Sequence, residues 1–275
     1  MSEKELLMTE AEKKEKALLE HLSGYRSLVV LLSGGVDSAY LLYAARQAAG
    51  GSVRAVTAIS ELHPEKEAAA ARDFAEMLGV PHVFVDTRPL ESPDFVENSR
   101  QRCYICKRGM FADAFAAVGC SDKQHWVHGA NADDSADFRP GLQAAREMGV
   151  EAPLAMAGLS KTEIRELSKK AGLPTWNKPA SGCLATRIPY GTEVTRDRLA
   201  LIGKAEQFLH EQGFPDVRVR CHGDLAKIEL PEAAMAEVMK PSCRGPIVAH
   251  FRQLGFLYVA LDMEGYQSGR LNRRL

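Results

Sequence analysis

Apolar positions recur at helical spacing over residues 4–22, where Leu6, Leu7, Ala11, Ala17, Leu18 and Leu22 stand among charged neighbours. The chain is therefore predicted to open on an amphipathic helix. Residues 27–32 are a short, mostly apolar run ending in a glycine turn, and 39–49 read as helix. The alternation then repeats: strand 53–59, helix 65–78, strand 82–85, helix 104–118, strand 125–127, and helices 142–148 and 161–171. Short apolar strands alternating with amphipathic helices predict an α/β fold with a doubly wound parallel sheet covered on both faces.

The pattern changes over 174–191, where Pro174, Pro179, Gly182, Pro189 and Gly191 mark a loop. Beyond it come a helix (196–212), two strands (217–221 and 226–230), two helices (232–239 and 246–254) and a strand (256–261). Two domains follow from this: an α/β domain over 1–185 and a smaller α+β domain over 186–275.

Composition narrows the classes. The chain has 275 residues, 45% hydrophobic and 26% charged, with 35 Lys+Arg against 36 Asp+Glu. This ordinary globular balance speaks against a polyanion-coating protein, so no nucleic-acid partner is expected. No apolar run approaches the roughly 20 residues that span a bilayer, so no membrane partner is expected either. The Glu- and Lys-rich start is unlike a signal peptide. Six cysteines without a secretory leader are not a disulfide framework, and a cytoplasmic location is expected.

The first candidate chemistry is Ser33-Gly34-Gly35-Val36-Asp37-Ser38, between the first strand and its helix. Two glycines let successive N–H groups converge on an anion, and the helix N-terminus adds its partial positive charge. Ser33 and Ser38 offer hydroxyl donors. Asp37 would repel phosphate unless a divalent cation intervened, which points to Mg²⁺. Neither a Walker loop nor a dinucleotide fingerprint occurs. Gly129-Ala130-Asn131-Ala132-Asp133-Asp134 follows the strand at 125–127, where ligands bind in such sheets, so Gly129 and Asn131 are candidate nucleotide or Mg²⁺ contacts; an ordinary Asn/Asp turn is the competing reading. Asp137-Phe138-Arg139-Pro140-Gly141 adds a guanidinium near the same edge.

Cys103 and Cys106 form a C-x-x-C between Arg102 and Lys107, cations that favour thiolates. A zinc finger is disfavoured by the spacing to His125 and His128, and a thioredoxin-type pair by the motif's place after a later strand. Arg218 and Arg220 alternate on a predicted strand and so share a face, suited to a phosphate or carboxylates. Thr186 and Arg187, just after Cys183, could complete that anion pocket. Cys120, Cys221 and Cys243 read as buried spectator thiols, and Arg270, Arg273 and Arg274 as a solvated or interface tail.

The S-G-G-V-D-S hexapeptide resembles the PP-loop of ATP pyrophosphatases, a superfamily that includes NAD and GMP synthetases, tRNA thiolation enzymes and LarE-type sulfur transferases. With Pro153-Leu154, Lys161-Thr162-Glu163-Ile164-Arg165, the run from Lys178 to Gly191 around Cys183, Gly255-Phe256 and Asp262-Met263-Glu264-Gly265-Tyr266, the chain resembles the LarE family over about residues 27–269. That resemblance implies ATP-dependent adenylation of a carboxylate of pyridinium-3,5-biscarboxylic acid mononucleotide. Sulfur insertion then gives the thiocarboxylate of the nickel-pincer nucleotide cofactor.

It further implies that Cys183 handles the sulfur, either sacrificing its own or joining Cys103 and Cys106 as ligands of a [4Fe-4S] cluster. It places Glu206 near the anion pocket, and implies a homo-oligomer supplied by sulfide or a cysteine desulfurase. A PP-loop tRNA thiolase with an iron–sulfur cluster, or a non-catalytic iron–sulfur redox sensor, are the alternatives.

Overall fold

The computed structural model describes residues 8–121, 123–136, 139–179 and 182–267. The expected positions Leu6 and Leu7, Asp137 and Phe138, Ala180 and Ser181, Gly269, and Arg270, Arg273 and Arg274 lie outside them. The chain forms two compact units: 1–60, 64–89 and 103–180 make the first, and 61–63, 90–102 and 181–275 the second. The second unit thus draws in two segments from the N-terminal half, which a linear division near 185 does not show.

In the first unit, α1 (Glu10–Ser23) starts at a capping box. Thr9 accepts from the Glu12 N–H, and Glu12 accepts from the Thr9 N–H, so two helix-end donors are satisfied at once. Its buried Leu18 and Leu22 contribute about 2 kcal/mol each by leaving water. Five parallel strands follow the order β3-β2-β1-β4-β5: β1 (Ser27–Leu31), β2 (Ser52–Ile59), β3 (His82–Asp86), β4 (His125–His128) and β5 (Val150–Glu151). The two-residue β5 is too short to show as a periodic pattern.

The sheet is covered on both faces. Along β1, Leu28 and Val30 enter one core with α1, α2 (Val36–Ala48) and α3 (Glu65–Met77). Val29 and Leu31 enter the other with Phe111 and Ala114 of α5 (Arg102–Val118), after the four-residue α4 (Pro93–Val96). Ala144 and Ala145 of α6 (Pro140–Glu147) join that second core. The first core also takes in Leu154 of α7 (Pro153–Met156) and Ile164 and Leu167 of α8 (Lys161–Lys170). This is the doubly wound α/β architecture expected from the alternation.

The second unit holds α9 (Arg196–Glu211), a sheet ordered β6-β7-β8, and α10 (Glu232–Val238) and α11 (Pro241–Leu254). Strand β6 (Arg218–His222) pairs antiparallel with β7 (Leu225–Glu229), which pairs parallel with β8 (Tyr258–Leu261). Helix α11 starts five residues before the expected 246, because Pro241 occupies the first turn, where no N–H is needed; Pro246 lies inside it. Among the described residues, no helix is long and apolar enough to cross a membrane.

Candidate active site

The strand order reverses between β1 and β4, so the loops leaving their carboxyl ends border the crevice where open α/β sheets bind ligands. The chain leaves β1 through Ser33 and turns at Gly34, whose φ of +73° suits glycine. A Cβ at Gly34 would also lie 3.1 Å from the Glu67 carbonyl oxygen. Gly35 is the extended N-cap of α2, and no side chain caps this helix. Its first N–H groups are therefore available to an anion.

The two serines brace the loop from within. Ser38 Oγ accepts from the Ser33 N–H at 3.1 Å, donates to the Gly35 carbonyl at 3.2 Å and lies 3.0 Å from Ser33 Oγ. The Ser38 hydroxyl, expected to donate outward, is buried and engaged inside the turn. Val36 is likewise buried and offers only its backbone to a ligand.

Gly129 stands where β4 meets this loop: a Cβ there would lie 2.7 Å from the Ser38 nitrogen and 2.9 Å from its Cα. Only glycine lets the two carboxyl-end loops approach this closely. Asn131 shapes its own turn, its Oδ1 accepting from the Asp133 N–H at 3.0 Å. Asp134 accepts from the Asn131 N–H and pairs with Arg139, while Asp133 accepts from the Lys161 N–H at 2.8 Å. Asn131 Oδ1 and Asp134 thus bond within their own turn, Asp133 reaches the start of α8, and the Arg139 guanidinium pairs with Asp134.

Two lysines within the resemblance segments, given no role from sequence, complete the loop. Lys161 Nζ donates to Asp37 Oδ2, held there because Ser160 and Glu163 form a capping box around the start of α8. Lys178 Nζ donates to the Gly34 carbonyl at 2.8 Å and to Glu67 Oε2 at 2.6 Å. The Ser-x-x-Glu signature was a further signal for Lys161; for Lys178 the resemblance segment was the only signal, and it named no partner. The other Asp37 oxygen, Oδ1, is buried and has no hydrogen-bond partner among the described residues. An oxygen left open beside a phosphate-type loop fits Mg²⁺, which needs few protein carboxylates when phosphates supply further ligands.

Cys103 and Cys106 lie one turn apart at the start of α5, both half-buried. His128, at the end of β4, is held neutral: burial first, and then the Lys107 charge, push its pKa down to about 4. Among the described residues, no three His, Cys, Asp or Glu side chains are grouped to hold a metal ion. The donor chemistry here is two neighbouring thiols, suited to thiolate ligation. Of the remaining cysteines only Cys221 is buried, which pushes its thiol up; Cys120 is exposed and Cys243 half-buried, contrary to expectation.

In the second unit, Cys183 is half-buried and leads into a 3₁₀ turn, Leu184–Arg187. Thr186 Oγ1 donates to the Cys183 carbonyl at 2.7 Å. Arg187 grips Glu206 with two parallel bonds, Nε to Oε1 at 2.8 Å and Nη2 to Oε2 at 3.0 Å, and its Nη1 donates to the Gly182 carbonyl at 2.8 Å. Glu206 Oε1 also accepts from the Val219 N–H at 2.9 Å, which ties β6 to α9.

Arg220 binds Glu229 through Nε at 2.9 Å and donates Nη1 to the Thr186 carbonyl at 2.7 Å. Burial raises the Glu229 carboxyl's pKa, but Arg220 and Lys227 outweigh it and hold the group ionised. Arg218 lies over the Tyr266 ring at 4.8 Å, and burial together with the Arg187 charge lowers its pKa. Hydrogen bonds thus link Thr186, Arg187, Glu206 and Arg220, and the buried Arg218 feels the charges of Arg187, Glu206 and Arg220. Arg187 and Arg220 are not open forks awaiting an anion: each is already engaged with a carboxylate.

A five-stranded parallel sheet with a glycine loop of this build at its reversal point defines an α/β nucleotide-loop protein. The chain matches the asparagine synthase family over residues 12–117. It is 40% identical to an uncharacterized protein of Synechocystis sp. over 247 residues, covering 90% of this chain and 92% of that one. It is 37% identical over 264 residues to the pyridinium-3,5-bisthiocarboxylic acid mononucleotide synthase of Lactiplantibacillus plantarum, covering 95% of each. The chain belongs to that synthase's family, the LarE family of PP-loop proteins.

Proposed function

We propose that this protein is an ATP-dependent sulfur transferase. It adenylates a carboxylate of pyridinium-3,5-biscarboxylic acid mononucleotide and replaces the activated oxygen with sulfur, giving the thiocarboxylate of the nickel-pincer nucleotide cofactor. The observation that carries this reading is the near-full-length likeness to the Lactiplantibacillus plantarum synthase.

ATP binds at 33–38, with backbone N–H groups of the loop and of the start of α2 on its phosphates; Gly129 leaves room for the loop and Asn131 shapes the neighbouring turn. Asp37 would hold Mg²⁺ through its open oxygen, and the ion would neutralise charge on the leaving pyrophosphate. Lys161, which pairs with Asp37 beside the loop, would supply a cation for the phosphates. Adenylation makes AMP the leaving group, so a sulfur nucleophile at Cys183 can displace it. Thr186, Arg187, Glu206, Arg218 and Arg220 form the surroundings in which the mononucleotide's anionic groups are received.

Cys103, Cys106 and Cys183 would together hold a [4Fe-4S] cluster. Such a cluster would supply an iron able to carry sulfide to the activated carboxylate. In the alternative, Cys183 gives up its own sulfur. The domain at 1–185 activates, the domain at 186–275 binds substrate and assembles the homo-oligomer, and sulfide or a cysteine desulfurase renews the sulfur in the cytoplasm.

The test is anaerobic purification, with iron, sulfide and the visible spectrum recorded for wild type and for Cys103→Ala, Cys106→Ala and Cys183→Ala. The same proteins are given ATP, Mg²⁺ and the dicarboxylate mononucleotide. AMP release coupled to a thiocarboxylate product is expected, and Asp37→Ala should abolish it. Wild-type protein that forms no AMP with this substrate would overturn the assignment. A colourless protein that turns over once, with Cys183 one H₂S lighter, would select the sacrificial route.

A further inference from the structure

The peptide between Leu32 and Ser33, at the entrance to the nucleotide loop, is held at both ends by side chains from other elements. Its carbonyl oxygen accepts from Thr57 Oγ1 of β2 at 2.6 Å, and its N–H donates to Ser38 Oγ of α2 at 3.1 Å. The preceding N–H, that of Leu32, donates to the Val56 carbonyl at 2.8 Å, although β1 itself ends at Leu31. Thr57 is buried, and Nε2 of His82, on β3, lies 2.8 Å from its hydroxyl.

Donor and acceptor chemistry fixes the proton directions along this series. A carbonyl can only accept, so the Thr57 proton points to Leu32 and the hydroxyl accepts from His82 Nε2–H. Burial, and then the Arg72 charge, lower the His82 pKa, so near neutral pH the ring carries one proton and its Nδ1 is bare. That nitrogen is buried and has no hydrogen-bond partner among the described residues. Farther along, Ser38 Oγ donates to the Gly35 carbonyl at 3.2 Å. The same peptide ends in the Val36 N–H, the first of α2, which no side chain caps. Every donor from His82 to Val36 thus points toward the anion-binding end of the loop, and hydrogen bonds in series polarise one another.

We propose that Thr57 and His82 are positioning residues of the nucleotide loop. His82 fixes the Thr57 hydroxyl, and Thr57 fixes the 32–33 peptide that sets where the loop's N–H groups stand. This rests on the reading above that 33–38 binds the phosphates of ATP. Neither residue belongs to the S-G-G-V-D-S motif. Thr57 acts on the loop through the Leu32 carbonyl, and His82 acts through Thr57, so the two behave as one element in ligand affinity.

The test uses the full chain as wild type, Thr57→Val, Thr57→Ser, His82→Leu, His82→Gln and the double variant Thr57→Val/His82→Leu. ATP with Mg²⁺ and inorganic pyrophosphate with Mg²⁺ are titrated, and amide hydrogen exchange is read residue by residue by NMR. Thr57→Val removes the hydroxyl and keeps the shape. It should weaken both ligands about 3- to 10-fold, as for one lost hydrogen bond, and speed exchange at Leu32 and Ser33 but not in β4. His82→Leu should do the same to a smaller extent, since the Thr57 hydroxyl can still reach Leu32. Thr57→Ser and His82→Gln, which restore the donor, should recover most of the loss. The double variant should be no worse than Thr57→Val alone.

Wild-type affinity in Thr57→Val would overturn the proposal, as would faster exchange spread evenly through the first unit or single losses that add in the double variant. If Thr57→Val does not fold, His82→Leu against His82→Gln carries the test: a loss in the first that the second recovers sustains it, and equal affinities refute it. If wild type binds neither ATP nor pyrophosphate, the nucleotide reading fails by itself and exchange decides the role of Thr57. Faster exchange confined to 32–38 in Thr57→Val and slowed again in Thr57→Ser then sustains it; equal rates refute it.

Discussion

The two units build polar sites by opposite means. In the first, the loop at 33–38 works mainly through its backbone: Gly34 turns the chain, Ser33 and Ser38 tie it, and the uncapped start of α2 points its N–H groups at the crevice. In the second, the site is a buried lattice of charged side chains in which Arg187 holds Glu206 and Arg220 holds Glu229. A backbone site carries little charge and relies on close approach, so it is sensitive to added atoms. A side-chain lattice is sensitive to removed charges, because each one lost leaves its partner buried and unpaired.

Removing a charge should therefore give the largest stability effect. Glu206→Ala strands Arg187 and releases the Val219 N–H, and breaking a buried pair of this kind costs about 3–5 kcal/mol. Urea unfolding followed by two probes, one per unit, should show the second unit's transition moving well below the first. A loss under about 1 kcal/mol would show that the lattice is solvated in solution and behaves as a surface pair.

Adding an atom is the matching experiment in the first unit. Gly129→Ala places a methyl group 2.7 Å from the Ser38 nitrogen, and backbone must shift to admit it. The stability cost is about 1–3 kcal/mol, as for other overpacked positions. The functional cost should be larger in proportion, on the order of 10-fold or more in kcat/KM for ATP, because the loop that binds phosphate is what moves. Unchanged ATP kinetics would mean that the end of β4 does not set the loop's position.

The same contrast explains what could be read from the chain. Backbone sites leave a motif, since glycine is needed where φ is positive or space is short; the turn in S-G-G-V-D-S was legible for that reason and the sheet from its alternation, whereas Gly129 was read as a ligand contact and not as the close approach it makes to Ser38. Lattice residues were legible as charges but not as partners. Arg187 and Glu206 stand nineteen positions apart, Arg220 and Glu229 nine, and no periodicity in the sequence couples either pair. Lys178 and Glu67 are farther apart still. Segment 90–102 was hardest to read: its place in the second unit depends on Arg102 and Asn98 reaching carbonyls more than eighty residues away. Two-residue β5 failed for want of length, and α11 because Pro241 marks a start that Pro246 seemed to mark instead.

Acidity offers a smaller test of the comparison. His128 keeps its imidazole neutral, with a pKa of about 4 against an ordinary value of 6.5, chiefly through burial and secondarily through Lys107. Between those two values the unfolded chain binds the proton and the folded chain does not. This group's share of stability is therefore complete above about 6.5, is lost as pH falls toward about 4, and changes no further below that. His82, also in the first unit, shifts downward for the same reasons, burial and the Arg72 charge. The backbone-built unit should accordingly soften between neutral pH and pH 5, where Glu229 of the second unit, which despite its burial is held below the usual carboxylate range by Arg220 and Lys227, is still ionised and paired. His128→Gln should flatten that acid slope in a series of urea melts while leaving the neutral-pH midpoint nearly in place. If the slope is instead unchanged in His128→Gln and lost in His82→Gln, the acid sensitivity lies beneath α3 and not at the end of β4.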